Sequence, residues 1–168
     1  MPTYPLEPFD LDFFDTAPIT HKFSVNLPVS PERAWGELSR QNTLDWCRLI
    51  KAINFTSPAP YGVGTTRSAE LAPGYARLSE RFFVWDEDPD TGRYRHAFYV
   101  EQANVPSLRK FGELSEIEPA GSGCRFTWSF AIELAGPMGK ASKFALPVTK
   151  KAFSTLETDT VKYFATLS

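Results

Sequence analysis

The segment at residues 124–134 (CRFTWSFAIEL) sets Phe126, Trp128, Phe130, Ile132 and Leu134 on one face, opposite Arg125, Thr127, Ser129 and Glu133. A period of two marks a β-strand with one buried face, because successive side chains leave opposite sides of the pleat. Such a strand needs neighbours for its backbone and cover for its apolar face. Residues 21–27, 52–56, 63–71, 76–84, 94–100 and 108–118 read as those neighbours, giving six or seven strands in one curved antiparallel sheet. The strings APGY at 72–75, DEDPDTG at 86–92 and PAGSG at 119–123 are turn signals between them.

Three strands carry an ionisable residue among inward apolar ones. Arg67 shares a face with Val63, Thr65, Ala69 and Leu71; Glu80 with Ala76, Leu78, Phe82 and Val84; His96 with Tyr94, Phe98 and Val100. Burying a charge without a partner costs on the order of several kcal/mol. These groups therefore either pair in a core or line a cavity that holds something polar. If Leu71 faces Ala76 across the first hairpin, Arg67 falls opposite Glu80, and the next turn brings Phe82 or Glu80 opposite His96. Glu113 shares a face with Phe111, Ser115 and Ile117 and joins the interior polar set. Trp85 falls on the outward parity, suited to packing beneath another segment or a partner.

A buried Arg67–Glu80 pair would fix strand register. In a cavity the same residues acquire chemistry: a carboxylate beside arginine stays ionised, and a histidine beside a carboxylate exchanges a proton near neutral pH. Glu80 and His96 are thus candidate proton-transfer groups and Arg67 a candidate stabiliser of a developing enolate, suited to ring closure or dehydration. Tyr94, Phe98, Phe82, Glu113, Trp128, Phe130 and, from the last helix, Phe144 are expected to contact a ligand.

Helices flank the sheet. Ser30-Pro31 with Glu32 reads as a helix start, and Thr43 as the cap of a second short helix through Ile50. From about residue 141 to 167, Phe144, Val148, Phe153, Leu156, Tyr163, Phe164 and Leu167 mark one side of a long amphipathic helix, which Pro147 kinks or opens. It is the one element long enough to cover the sheet. Residues 1–20 form a proline-punctuated arm rich in aromatic residues, expected to pack on the body or on a neighbour, which makes a homodimer worth testing. Residues 21–168 form one domain.

Composition excludes several classes. The net charge is −2 with both signs interspersed, which disfavours nucleic acid and membrane surfaces as partners. No apolar run approaches the length of a membrane span, so integral membrane association is not expected, and the acidic first twenty residues do not read as a secretory signal. Cys47 and Cys124 read as buried free thiols in a reducing cytoplasm. No His/Cys/carboxylate set has ligand spacing, so neither a metal nor another cofactor is expected. GVGTTR lacks the lysine-serine ending of a phosphate loop, and no GxSxG occurs.

The strings VNLPVSPERAWGEL (25–38), GVGTTR (62–67), ERFFVWDED (80–88) and IEPAGSGCRFTWSF (117–130) resemble the START-like (SRPBCC) superfamily, which includes birch-pollen-allergen relatives, aromatic polyketide cyclases and lipid-transfer domains. The likeness is to the polyketide cyclase/dehydrase branch common in bacteria and spans about residues 20–167; the proline-rich arm is outside its core pattern. It implies an α+β helix-grip fold, with two short helices after the first strand and a cavity between the sheet and the long C-terminal helix. A hydrophobic, aromatic or polycyclic small molecule is the expected occupant. Three functions follow as expectations: a cyclase or dehydratase using Arg67, Glu80 and His96; a non-catalytic carrier of lipid or another hydrophobic ligand; or a protein-interaction domain with a filled core.

Overall fold

The computed structural model describes residues 1–73, 76–140 and 142–168, without the side chains of residues 142–145. In chain order the elements are β1 (Tyr4–Pro5), α1 (Phe13–Thr16), β2 (Ile19–Leu27), α2 (Pro31–Ser39), β3 (Ile50–Phe55), β4 (Thr66–Leu71), β5 (Ala76–Asp88), β6 (Arg93–Ala103), β7 (Leu108–Ala120), β8 (Gly123–Leu134), α3 (Gly136–Lys140) and α4 (Ser142–Ala165). Seven strands pair antiparallel in the order β2-β8-β7-β6-β5-β4-β3, and the short β1 adds to β6. The curled sheet presents its concave face to α4, the helix-grip arrangement.

The start of α2 follows its sequence: the Ser30 side chain accepts the Arg33 N–H at 3.2 Å, and Pro31 fills the first turn. In place of a second short helix over 43–50 the chain makes successive turns, with Cys47 N–H to Leu44 O and Ile50 N–H to Cys47 O. Asn42 and Leu44 there have positive φ, which a helix cannot accommodate. α4 begins at Ser142 and runs through Pro147, so that proline does not open it. Its buried Phe153, Leu156 and Phe164 close the core; Phe153 stacks on Phe130 at 4.2 Å between ring centroids, and Trp46 on Tyr163 at the same distance.

The arm packs on the chain's own sheet. Ladder pairing of β6 with β7 ends at Tyr99–Gly112, and the arm enters the gap beyond it. Leu6 N–H donates to Glu101 O and Glu7 N–H to Arg109 O, which satisfies both strands. Leu6 reaches the main core, whereas Phe9, Phe13 and Phe14 cover Phe83, Val84, Ala97 and Leu114 on the convex face. Gly112 permits this crossing: a Cβ there would lie 2.2 Å from Phe98 O and 2.5 Å from Phe9 Cζ.

Two local features change the expected alternation. Residues 62–65 turn instead of extending, with Gly64 at φ +91° and Thr65 Oγ1 accepting the Gly62 N–H, and Val63 therefore stands in solvent. A bulge between Phe82 and Val84 inserts Phe83 into β5. The extra residue reverses parity. Val84, expected inward, packs outward beneath the arm, and Trp85, expected outward, packs inward against Trp35, Tyr61 and Phe82.

Candidate functional site

Between β4 and β5 the ladder runs Leu71↔Ala76, Ala69↔Leu78, Arg67↔Glu80 without interruption. Arg67 Nε donates to Glu80 Oε2 at 2.6 Å, and each side chain is 3% exposed. The guanidinium also lies 4.8 Å from the Phe98 ring centroid and 5.0 Å from that of Phe82. Cation–π attraction thus supplements the ion pair in a site that water does not reach freely. Burial pushes the Glu80 carboxyl above the usual carboxylate range, against the pull of Arg67's charge and hydrogen bond.

Glu113, two strands away on β7, is partly buried, and one of its carboxyl oxygens accepts the Trp128 Nε1–H at 3.0 Å. Burial, reinforced by the nearby Glu80 charge, raises its pKa to about 8, with Arg67 and the Trp128 bond opposing. Glu113 is therefore mostly a neutral acid at pH 7, able to donate a proton or a hydrogen bond. Among the described residues the Arg67 guanidinium uses only Nε toward Glu80, so its terminal N–H groups remain as donors.

Arg67, Glu80 and Glu113 line one cavity, whose other walls are apolar: Leu44, Leu49, Ile50, Ile53, Ala69, Leu71, Leu78, Phe111, Phe153 and Leu156. It lies between the sheet and α4 and leaves about 40 Å³ open to the centre of a water molecule, within about 400 Å³ of space between atoms. In this closed form it holds a few water molecules at most, so a larger guest requires α4 or the β4–β5 hairpin to give way.

His96 lies elsewhere. The hairpin register pairs Phe82 with Phe98, and past the β5 bulge His96 lies opposite Trp85, where Phe82 or Glu80 was expected. Its ring sits 5.0 Å from Trp35, 5.0 Å from Phe82 and 5.1 Å from Trp85 between centroids, and among the described residues neither nitrogen meets hydrogen-bond geometry. Burial lowers its pKa to about 3; the Arg67 charge adds to this, and backbone carbonyls oppose it. At neutral pH it is an uncharged imidazole in an aromatic box, outside the cavity lining.

Tyr94, Phe98, Phe82, Trp128 and Phe130 are buried in the aromatic core behind the cavity wall. The Phe144 side chain lies outside the described residues. The aliphatic lining from residues 44–53 is what the sequence reading missed, since that stretch read as a helix and a strand facing no particular site. Among the described residues no group of three His, Cys, Asp or Glu side chains could hold a metal ion, and Cys47 and Cys124 are buried free thiols. A wider groove of about 310 Å³ lies on the convex face around Asp86, Arg93, Arg95 and Glu118. Its arginines are already paired, Arg95 with Asp86 at 2.6 Å and Arg93 with Glu118 at 2.8 Å, and it faces solvent, so it offers little to a ligand.

Comparison with known proteins agrees with this architecture. The chain belongs to the polyketide cyclase/dehydrase and lipid transport family, whose model matches residues 19–162. Uncharacterized proteins of Mycobacterium tuberculosis and Mycobacterium bovis are 34% identical to it over 135 residues, 80% of this chain and 77% of theirs. Among solved structures, a START superfamily protein from Mycobacterium smegmatis has a TM-score of 0.63 at 13% identity, covering 86% of this chain and 97% of that one. A protein of Thermus thermophilus gives 0.65 at 16%, covering 89% and 99%. Ara h 8.0201 gives 0.55 at 15%, covering 88% and 98%. At such identities these structures establish the fold alone. No helix among the described residues is long and apolar enough to cross a membrane.

Proposed function

We propose that the protein binds a mostly apolar, aromatic or polycyclic small molecule between the sheet and α4, held at one oxygen function by Arg67 and Glu113. The observation that carries this reading is the cavity itself, apolar except for three ionisable residues gathered on its sheet side. Family membership and the helix-grip fold support hydrophobic-ligand binding in general terms. Charge balance adds a preference. Glu80 neutralises Arg67 and Glu113 is mostly protonated, so the site favours a neutral carbonyl or hydroxyl over a carboxylate, whose charge would enter uncompensated. Native mass spectrometry of the protein purified from a cell extract tests the reading. A retained hydrophobic molecule supports it, and a protein that emerges empty and also fails to bind 2-naphthol contradicts it.

A second reading, acid–base catalysis of ring closure or dehydration, is favoured by one observation: a neutral acid, Glu113, and a carboxylate, Glu80, face the same cavity. In it Glu113 takes the proton-donor role first expected of His96, Glu80 accepts, and Arg67 stabilises an enolate oxygen. Glu113→Gln separates catalysis from carriage. An enzyme keeps binding and loses turnover, whereas a carrier has no turnover to lose.

A further inference from the structure

Of the exposed large apolar side chains among the described residues, Met1, Tyr4, Met138 and Val148 lie at the same end of the sheet; the others are Val63 and Val161. Strand register defines that end: β3 starts there at Ile50, β4 stops at Leu71, β6 at Ala103 and β8 at Leu134. Tyr4 pairs with Ala103, Met1 touches Asn104, and Met138 follows β8 directly. Val148, 74% exposed, joins Leu49, Pro73 and Ala152 in a shallow apolar groove. Leu49 also lines the cavity, so groove and cavity adjoin.

One segment at this end has one-sided charge. Between Glu133 and Glu157 the chain carries four lysines and no acidic residue, although its net charge is −2. The even mix of signs over the whole sequence conceals this segment. Lys140, Lys150 and Lys151 are exposed, and none has a carboxylate within 4 Å among the described residues. Neighbouring cations are already paired, Arg48 with Asp159 and Lys51 with Glu70.

Exposed apolar side chains on the same segment as exposed lysines, with Lys151 lining the Val148 groove and Lys140 two residues from Met138, match the two layers of an anionic bilayer surface, acyl boundary below and phosphate or carboxylate above. We propose that this end of the molecule docks peripherally on an anionic lipid surface, with Met138 and Val148 entering the interface and Lys140, Lys150 and Lys151 facing the headgroups. Docking there would bring the groove beside the cavity against the bilayer. The inference stands on exposure and charge, independently of what the cavity binds.

The test is co-sedimentation of the full chain with phosphatidylcholine vesicles, with and without phosphatidylserine. The chain should be retained by the phosphatidylserine vesicles alone and released by added salt. The double change Lys150→Glu with Lys151→Glu should weaken retention by about 25-fold or more, from roughly fivefold per lysine removed. Val148→Asp should weaken it as well, with the melting temperature of each variant unchanged. Equal or absent retention on both vesicles overturns the proposal, as does retention that neither variant alters. Preferential capture of the face by an acidic polypeptide such as polyglutamate also overturns it, in favour of a protein partner.

Discussion

Arg67 and Glu80 face each other across β4 and β5 with Nε 2.6 Å from Oε2, and both border the cavity beneath α4. The pair fixes register and supplies the polar floor of the candidate site. These two roles separate under mutation. Removing one partner leaves a buried charge unmatched, so Glu80→Ala or Arg67→Ala should cost about 3–5 kcal/mol in urea denaturation. The double replacement Arg67→Met with Glu80→Leu should recover most of that loss and still abolish preference for an oxygen-bearing guest. A double variant as unstable as the singles would show that the pair contributes more than mutual neutralisation.

His96 makes the fold acid-sensitive. Its pKa is about 3 in the folded chain and 6.5 when free, so below pH 6.5 the unfolded chain takes up a proton that the folded one refuses. The stability present above pH 6.5 is lost as pH falls toward 3, at up to about 1.4 kcal/mol per pH unit. Denaturant midpoints from pH 7 to 4 should show this slope in the wild type and a shallower one in His96→Leu. Parallel slopes would place the acid sensitivity elsewhere.

Glu113 acts in the opposite sense. Its folded pKa of about 8 exceeds the free value of 4.5, so the folded chain keeps a proton that the unfolded chain releases. Stability from this group is complete below pH 4.5 and declines as pH rises through 8, again by up to about 1.4 kcal/mol per unit. Glu113→Gln should therefore gain on the wild type as pH increases from 5 to 8. A constant offset between the two curves would contradict a protonated Glu113.

The arm is tested at Gly112. A methyl group there meets the Phe98 carbonyl and the Phe9 ring, so Gly112→Ala should cost about 1–3 kcal/mol or more through overpacking. It should also speed proteolysis within residues 1–18. A stable variant with a protected arm would mean that the crossing tolerates more space than the structure shows.

Sequence periodicity located all seven long strands and the Arg67–Glu80 register, because nothing interrupts the ladder from the Leu71–Ala76 turn to that pair. It failed at the β5–β6 hairpin, whose register sets Glu80 opposite Val100 and so keeps His96 away from Glu80, and past Phe82, where one inserted residue exchanges the faces of Val84 and Trp85. An unpaired residue in an otherwise regular strand leaves no mark in an apolar run such as RFFVW. The second helix was misread for a related reason: Leu44, Cys47 and Ile50 keep helical spacing, but the positive φ at Asn42 and Leu44 is invisible to periodicity. Glu113 was legible as an inward carboxyl, yet its company with Glu80 required the order of strands across the sheet. The lysine-only stretch before Glu157 was readable as a string, but its meaning depends on where Met138 and Val148 stand in space.

The most direct test of ligand binding in the cavity is titration calorimetry of 2-naphthol against the wild type and Ala69→Phe, whose new ring would fill the space beside Arg67 and Leu78. Binding by the wild type, weakened by about tenfold or more in a variant that still melts cooperatively, is the predicted result. Equal affinity in the two proteins, or no binding to the wild type, would contradict it.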